Sequence, residues 1–96
     1  MNEYEKRAAK YAAMLEKECG PNVRVVYDGK DDIETVPVTG KYTLDIMGHK
    51  KKVDSPSWLE IAKLANPYIV KTNSRFPFLE DIEQTKEREY MLIFGS

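Results

Sequence analysis

The spacing of apolar residues changes twice along this chain, and that change constrains the fold more than any other feature. Residues 3–19 repeat apolar side chains every three or four positions, which is typical of one helix face. Residues 41–47 alternate apolar and polar side chains, as a half-buried strand does. Helical spacing returns after Ser55. The pattern therefore predicts an α+β domain, with helices packed against a sheet.

The first helix has signals at both ends. Asn2 is a suitable N-cap, and Glu5 three residues later approximates a capping box. Gly20 and Pro21 stop the helix, since glycine adopts the left-handed cap and proline cannot continue the ladder. The pattern thus predicts a helix over residues 3–19.

Three or four antiparallel strands are expected to follow, because short turns join the alternating segments. Turn signals stand at Asp28-Gly29, Thr39-Gly40 and Gly48-His49. Pro37 removes a backbone donor, so its strand should lie at an edge or carry a bulge. The predicted strands cover residues 23–28, 33–38, 41–47 and 50–53.

Ser55 and Pro56 predict the start of a second helix, as a hydroxyl cap and a proline at the first helical position. Pro67 should end that helix at Asn66, because a residue before proline avoids helical geometry. A short strand over residues 68–72 is then expected.

The last quarter of the sequence allows two interpretations. Residues 77–86 favour a short helix, and the alternative is a hairpin that turns at Thr85-Lys86. Residues 90–94 predict a final strand. We therefore expect an antiparallel sheet of about four to five strands in the element order α-β-β-β-α-β, with both helices packed on one face.

Length and composition fit one compact domain over residues 1–96. The longest apolar runs, Tyr11 to Leu15 and Tyr90 to Phe94, are far below the roughly 20 residues of a membrane-spanning helix. A single cysteine fits a reducing compartment. We expect a soluble cytoplasmic protein without a membrane partner.

The chain shows no residue pattern typical of catalysis or of cofactor binding. Its one histidine, His49, has no nucleophile near it in sequence, and Cys19 lies on an apolar helix face. The acidic residues between positions 28 and 34 lack the spacing of a calcium loop, and the glycines are too isolated to cradle phosphate. We therefore expect no enzyme activity, no metal site and no cofactor.

Charge is distributed unevenly along the chain. Residues 41–75 hold seven basic side chains against three acidic ones, a net +4, whereas residues 76–96 carry −3. Arg75, Phe76 and Phe78 are residue types enriched at interfaces, although the phenylalanines could also be core and the lysines could only protect an edge strand. The expected binding surface consists of Lys50, Lys52, Lys71, Arg75, Phe76 and Phe78.

This surface and the lack of catalytic residues favour a small non-enzymatic protein-binding module. Such a module would be a phage- or mobile-element-type inhibitor or adaptor that acts on an intracellular protein. The alternative is a nucleic-acid-binding module that uses the basic residues 49–75, because lysine and arginine neutralise phosphates. The pattern leaves the oligomeric state open.

Overall fold

The computed structural model describes residues 2–95. It confirms the predicted α+β class and the N-terminal helix. Neither helix in this part of the chain is long and apolar enough to cross a membrane. The elements are α1 (Glu3–Cys19), β1 (Val26–Tyr27), β2 (Lys41–Ile46), β3 (His49–Asp54), α2 (Trp58–Thr72), β4 (Phe78–Lys86) and β5 (Glu89–Gly95).

The five strands within residues 2–95 form one sheet in the spatial order β1-β4-β5-β2-β3. The hairpins β2–β3 and β4–β5 are antiparallel, while β1 pairs with β4 and β2 pairs with β5 in parallel. The sheet is therefore mixed, and the expectation of antiparallel pairing throughout is corrected. The first strand does not neighbour the second, because the C-terminal hairpin is inserted between them.

One face of the sheet, here called the helix face, carries the core. Tyr42, Leu44 and Ile46 alternate along β2 and are all buried on this face. The helices cover it with Leu15 of α1 and Ile61 of α2, both almost fully buried. The opposite outer face has no helix above it in the described part of the chain.

Helix α1 has the predicted bounds, because both terminal signals act as expected. The Asn2 side chain accepts a hydrogen bond from the backbone N–H of Glu5 at 2.8 Å. Gly20 takes a φ of 80°, and its N–H donates to the Glu16 carbonyl.

Residues 33–38, for which the sequence pattern predicts a strand, instead cap helix α2. The Ile33 and Thr35 carbonyls accept hydrogen bonds from the N–H groups of Leu59 and Trp58. These donors belong to the first helical turn and have no partner inside the helix. The Ile33 side chain is fully buried, so this segment serves the core without joining the sheet. Only Val26–Tyr27 of the predicted first strand is paired.

Helix α2 begins later and ends later than the sequence pattern predicts. Its N-cap is Ser57, whose hydroxyl and backbone form a reciprocal capping box with Glu60. The helix continues through Pro67 to Thr72, which removes the strand expected over residues 68–72. A proline inside a helix costs about 3 kcal/mol. Burial of Ile69 beyond it offsets that cost.

Within residues 77–86, Phe78–Lys86 form a strand rather than the favoured short helix. Leu79 and Ile82 are three positions apart, which mimics helical spacing. A β-bulge between Leu79 and Asp81 absorbs the additional residue, so both apolar side chains point to the helix face. The alternative hairpin is confirmed, with its turn at Glu87-Arg88 instead of Thr85-Lys86.

Candidate functional site

The β2–β3 hairpin is regular and closes with a two-residue turn. Met47 and Gly48 have φ values of 53° and 90°, the left-handed conformation that tight hairpin turns require. The Asp45 carboxylate accepts a hydrogen bond from the Gly48 N–H at 2.8 Å. Pairing then runs without interruption to the end of β3. The hairpin therefore presents an outer edge without a bulge.

The backbone of β3 has free hydrogen-bonding groups along that edge. The Ser55 N–H donates to the Gly40 carbonyl at 3.0 Å, which fixes which residues of β3 bond to β2. By alternation, the N–H and C=O groups of Lys50, Lys52 and Asp54 face away from β2. No strand among residues 2–95 pairs with them. We call this row of three residues the β3 edge.

A groove of about 560 Å³ lies between β3 and helix α2. Its floor is apolar and consists mainly of half-exposed side chains, and charged residues of both signs stand at its rim. We call it the β3 groove. Its lining residues are Lys51, Val53, Asp54, Pro56, Glu60, Lys63, Leu64, Pro67 and Tyr68.

Tyr68 is held in place at one end of the groove. The His49 ring stacks on it with centroids 4.5 Å apart and planes 19° apart. The Lys51 ammonium lies 5.8 Å from the centre of the same ring. These contacts fix strand β3 against helix α2, so the groove is formed before any ligand arrives.

Pro67 changes the groove wall because it lacks a backbone N–H. The Lys63 carbonyl, four residues earlier, therefore loses its intrahelical partner. Both residues line the groove. The groove wall formed by α2 therefore includes a position where one helical hydrogen bond is not formed.

The lysines of β3 are not equally neutralised. Lys50 of β3 forms an ion pair with Glu89 at 3.4 Å. Lys63, which lines the groove from α2, forms one with Glu18 at 3.6 Å. Within residues 2–95, Lys51 and Lys52 lie in no ion pair. Lys52 therefore keeps a positive charge on the outer face that no ion pair within the described residues neutralises, and this charge can attract acidic groups.

The structure brings together only part of the expected binding surface. Lys50 and Lys52 point from β3 to the outer face, whereas Lys71 lies in the last turn of α2. Phe78 lies in β4, three strand spacings or roughly 14 Å across the sheet from β3.

The loop before β4 holds the remaining expected residues. Arg75 is exposed there, and Phe76 is 54% exposed. They lie near Phe78, towards the β1 edge of the sheet, whereas the two lysines lie on β3 at the opposite edge. The structure thus separates the aromatic group from the basic one.

The sequence pattern places Glu60 and Leu64 in the second helix, but it excludes Tyr68 because it ends that helix at Asn66. A helical signal was present in the sequence, since Glu60, Leu64 and Tyr68 follow one another at four-residue spacing. That spacing places them on one helix face, provided that the helix continues through Pro67.

Cys19, His49 and the acidic side chains are the other groups whose surroundings bear on chemistry. Burial raises the pKa of the Cys19 thiol, the reverse of what a nucleophilic thiolate needs. The His49 ring is stacked on Tyr68. In residues 2–95, no three side chains of His, Cys, Asp or Glu come together in a group that could hold a metal ion.

No known protein family, curated protein or solved structure matches this chain. Its function must therefore be inferred from the geometry and the charge of the β3 edge and the β3 groove.

Proposed function

We propose that this chain is a non-enzymatic protein-binding module, an inhibitor or adaptor, that accepts an extended segment of an intracellular partner along the β3 edge. The observation that carries this proposal is the unpaired β3 edge, within the described residues, beside a preformed apolar groove. In strand addition, main-chain hydrogen bonds supply affinity and pockets for alternate side chains supply specificity. Lys50, Lys52 and Asp54 provide the main-chain groups, and the β3 groove provides the pocket.

The chemistry of the partner segment follows from the two faces that it would meet. Alternate side chains of an added strand point to opposite faces of the sheet. Those on the helix face would lie over Val53, Leu64 and Tyr68, so apolar residues fit there. Those on the outer face would lie beside Lys50 and Lys52, so acidic residues fit there. The expected segment alternates apolar and acidic residues.

The test uses a short fluorescent peptide in which valine alternates with glutamate. Fluorescence anisotropy should show binding to the wild-type chain and much weaker binding of a peptide that alternates valine with lysine. In NMR spectra, the amide signals of Lys50, Lys52 and Asp54 should shift most. Absence of binding, or amide shifts confined to another surface, contradicts the proposal.

Two substitutions at one position separate backbone bonding from charge. Lys52→Pro removes an outward N–H and leaves the β2–β3 ladder intact, because that N–H does not bond to β2. Lys52→Ala removes the charge and keeps the N–H. We expect Lys52→Pro to weaken binding of the valine–glutamate peptide at least about tenfold more than Lys52→Ala does. That difference corresponds to ~1.4 kcal/mol of binding free energy. Equal effects of the two substitutions would mean that no strand is added.

A nucleic-acid-binding module is the competing outcome of the same experiment. A DNA or RNA oligonucleotide would bind through phosphates, with a steep dependence on salt. Its affinity would fall for Lys52→Glu and respond equally to Lys52→Ala and Lys52→Pro. Such a result, without peptide binding, replaces the proposal.

A further inference from the structure

The sheet has a second open edge, on strand β4. Strand β1 pairs with β4 only at Phe78 and Leu79. The rest of β4, residues 80–86, has no partner on that side among residues 2–95. We call residues 81–84 of this segment the β4 edge.

The β4 edge has the alternation that the β3 groove requires. Asp81 and Glu83 are exposed and point to the outer face, opposite Ile93 and Met91 of β5. Ile82 and Gln84 point to the helix face. The segment thus alternates acidic residues on one face with an apolar residue and an uncharged residue on the other.

Strands β3 and β4 also run in the same direction. Strand β4 is antiparallel to β5, β5 is parallel to β2, and β2 is antiparallel to β3. A second copy displaced sideways along the sheet therefore places its β4 parallel to β3, with the helices of both copies on the same face. Parallel partners carry side chains on the same face, as Thr43 and Glu89 do within this sheet.

We propose that the β4 edge of a second copy of this chain occupies the β3 edge, so that the chain masks its own binding groove by head-to-tail association. The proposal rests on the proposed function, since it requires that β3 accepts a strand. Lys50 then lies beside Asp81 of the second copy, and Lys52 beside Glu83 of that copy. Opposite charges on neighbouring strands stabilise such pairing.

The contact is heterologous, because each copy offers one basic edge and one acidic edge. Such contacts form open chains of copies unless the rotation between them closes a ring. Association should therefore grow with protein concentration and weaken with salt. A partner segment would have to displace the neighbouring copy.

Sedimentation equilibrium over a range of concentrations at low salt tests the proposal. The average mass of the wild-type chain should rise with concentration and fall when salt or the valine–glutamate peptide is added. Glu83→Lys and Lys52→Glu should each lower the apparent association constant at least tenfold. The double variant that carries both Lys52→Glu and Glu83→Lys should recover association. In it, the glutamate at position 52 of one copy lies beside the lysine at position 83 of the next. Glu16→Lys, the same charge change on the exposed face of α1, is the matched control and should associate like the wild type.

The outcomes separate this inference from the proposed function. A chain that stays monomeric at every concentration and binds the peptide overturns the inference and leaves the proposed function intact. Association that persists in both single variants, or that the double variant does not recover, also overturns it. A monomer that does not bind the peptide contradicts both. Peptide binding by the monomeric Glu83→Lys variant is expected under the inference, because its β3 edge is unchanged.

Discussion

The two hairpins of the sheet are built differently, although they pair with each other through β2 and β5. The β2–β3 hairpin pairs six residues with six and contains no bulge. The β4–β5 hairpin has register shifts after Leu79 and after Gln84. A regular ladder gives β3 an edge without a bulge and a regularly spaced row of free backbone groups. Bulges increase local twist and interrupt pairing, so regular pairing along the free side of β4 is limited to residues 81–84 between them.

This difference indicates which edge receives a strand and which edge donates one. The β3 edge is fixed against helix α2 by the stack of His49 on Tyr68. The distal part of β4 carries Gln84 and Thr85, both exposed. An acceptor benefits from being preformed, since less conformational entropy is lost on binding.

The largest expected effect tests whether the bulged hairpin belongs to the same core as the regular one. Leu79 is fully buried beside the first bulge, and Leu44 is fully buried on β2. Leu79→Ala and Leu44→Ala should each lower the free energy of unfolding by about 2–5 kcal/mol. Chemical denaturation with intrinsic fluorescence measures both. A loss below roughly 1 kcal/mol for Leu79→Ala alone would show that the β4–β5 hairpin is poorly packed on the core.

A smaller effect is expected from the turn of the regular hairpin. Gly48 has a φ of 90°, and a Cβ added there would meet no atom of the described residues within 4 Å. Gly48→Ala should therefore cost about 1 kcal/mol, from the unfavourable backbone conformation alone. Thermal denaturation measures this loss. Glu87→Ala is the control: Glu87 lies in the turn of the other hairpin but has no positive φ itself, so this variant should lie within about 0.5 kcal/mol of the wild type. A neutral Gly48→Ala would mean that the turn can adopt another conformation.

The contrast between the hairpins also explains how far the sequence could predict the fold. Unbroken alternation predicts the bounds of β2 and β3 to within one residue at each end. It also places Lys50 and Lys52 correctly in a strand. The spacing of Leu79 and Ile82 wrongly favours a helix, because a bulge between them breaks the two-residue periodicity of the strand. The bulge depends on pairing with β5, which local sequence does not show. The position of β4 beside β1 is likewise a tertiary property that no local pattern contains.

The β3 groove could be predicted only in part, because it forms where two elements meet. The lysines of β3 stand out as a charge run in the sequence. Tyr68 does not, since the local preference of the residue before Pro67 ends the predicted helix at Asn66. Burial of Ile69 beyond the proline outweighs that preference in the folded chain. Local helix propensity does not include such tertiary packing and therefore cannot predict that the helix continues.

The smallest expected effect lies where the two hairpins meet. Tyr42 of β2 packs edge-on against Tyr90 of β5, with ring centroids 5.0 Å apart. Among residues 2–95, its buried hydroxyl has no hydrogen-bond partner. Tyr42→Phe should therefore be neutral or stabilise the fold by up to about 1 kcal/mol at pH 7, because an unsatisfied polar group is removed. Tyr27→Phe is the matched contrast and should destabilise, since the Tyr27 hydroxyl donates to the Asp31 carbonyl at 2.8 Å.

The pH dependence of unfolding sharpens that contrast. Burial raises the pKa of Tyr42 to about 12 from its ordinary value of 10.0, and the nearby Tyr90 contributes in the same direction. The unfolded chain therefore loses this proton first as the pH rises. Stability from this group is complete below pH 10 and is lost progressively towards pH 12. Burial also raises the pKa of Tyr27, so Tyr42→Phe should reduce the alkaline loss without abolishing it. Urea titrations at several alkaline pH values measure the slope, and an unchanged slope in Tyr42→Phe would show that this hydroxyl reaches water in the folded chain.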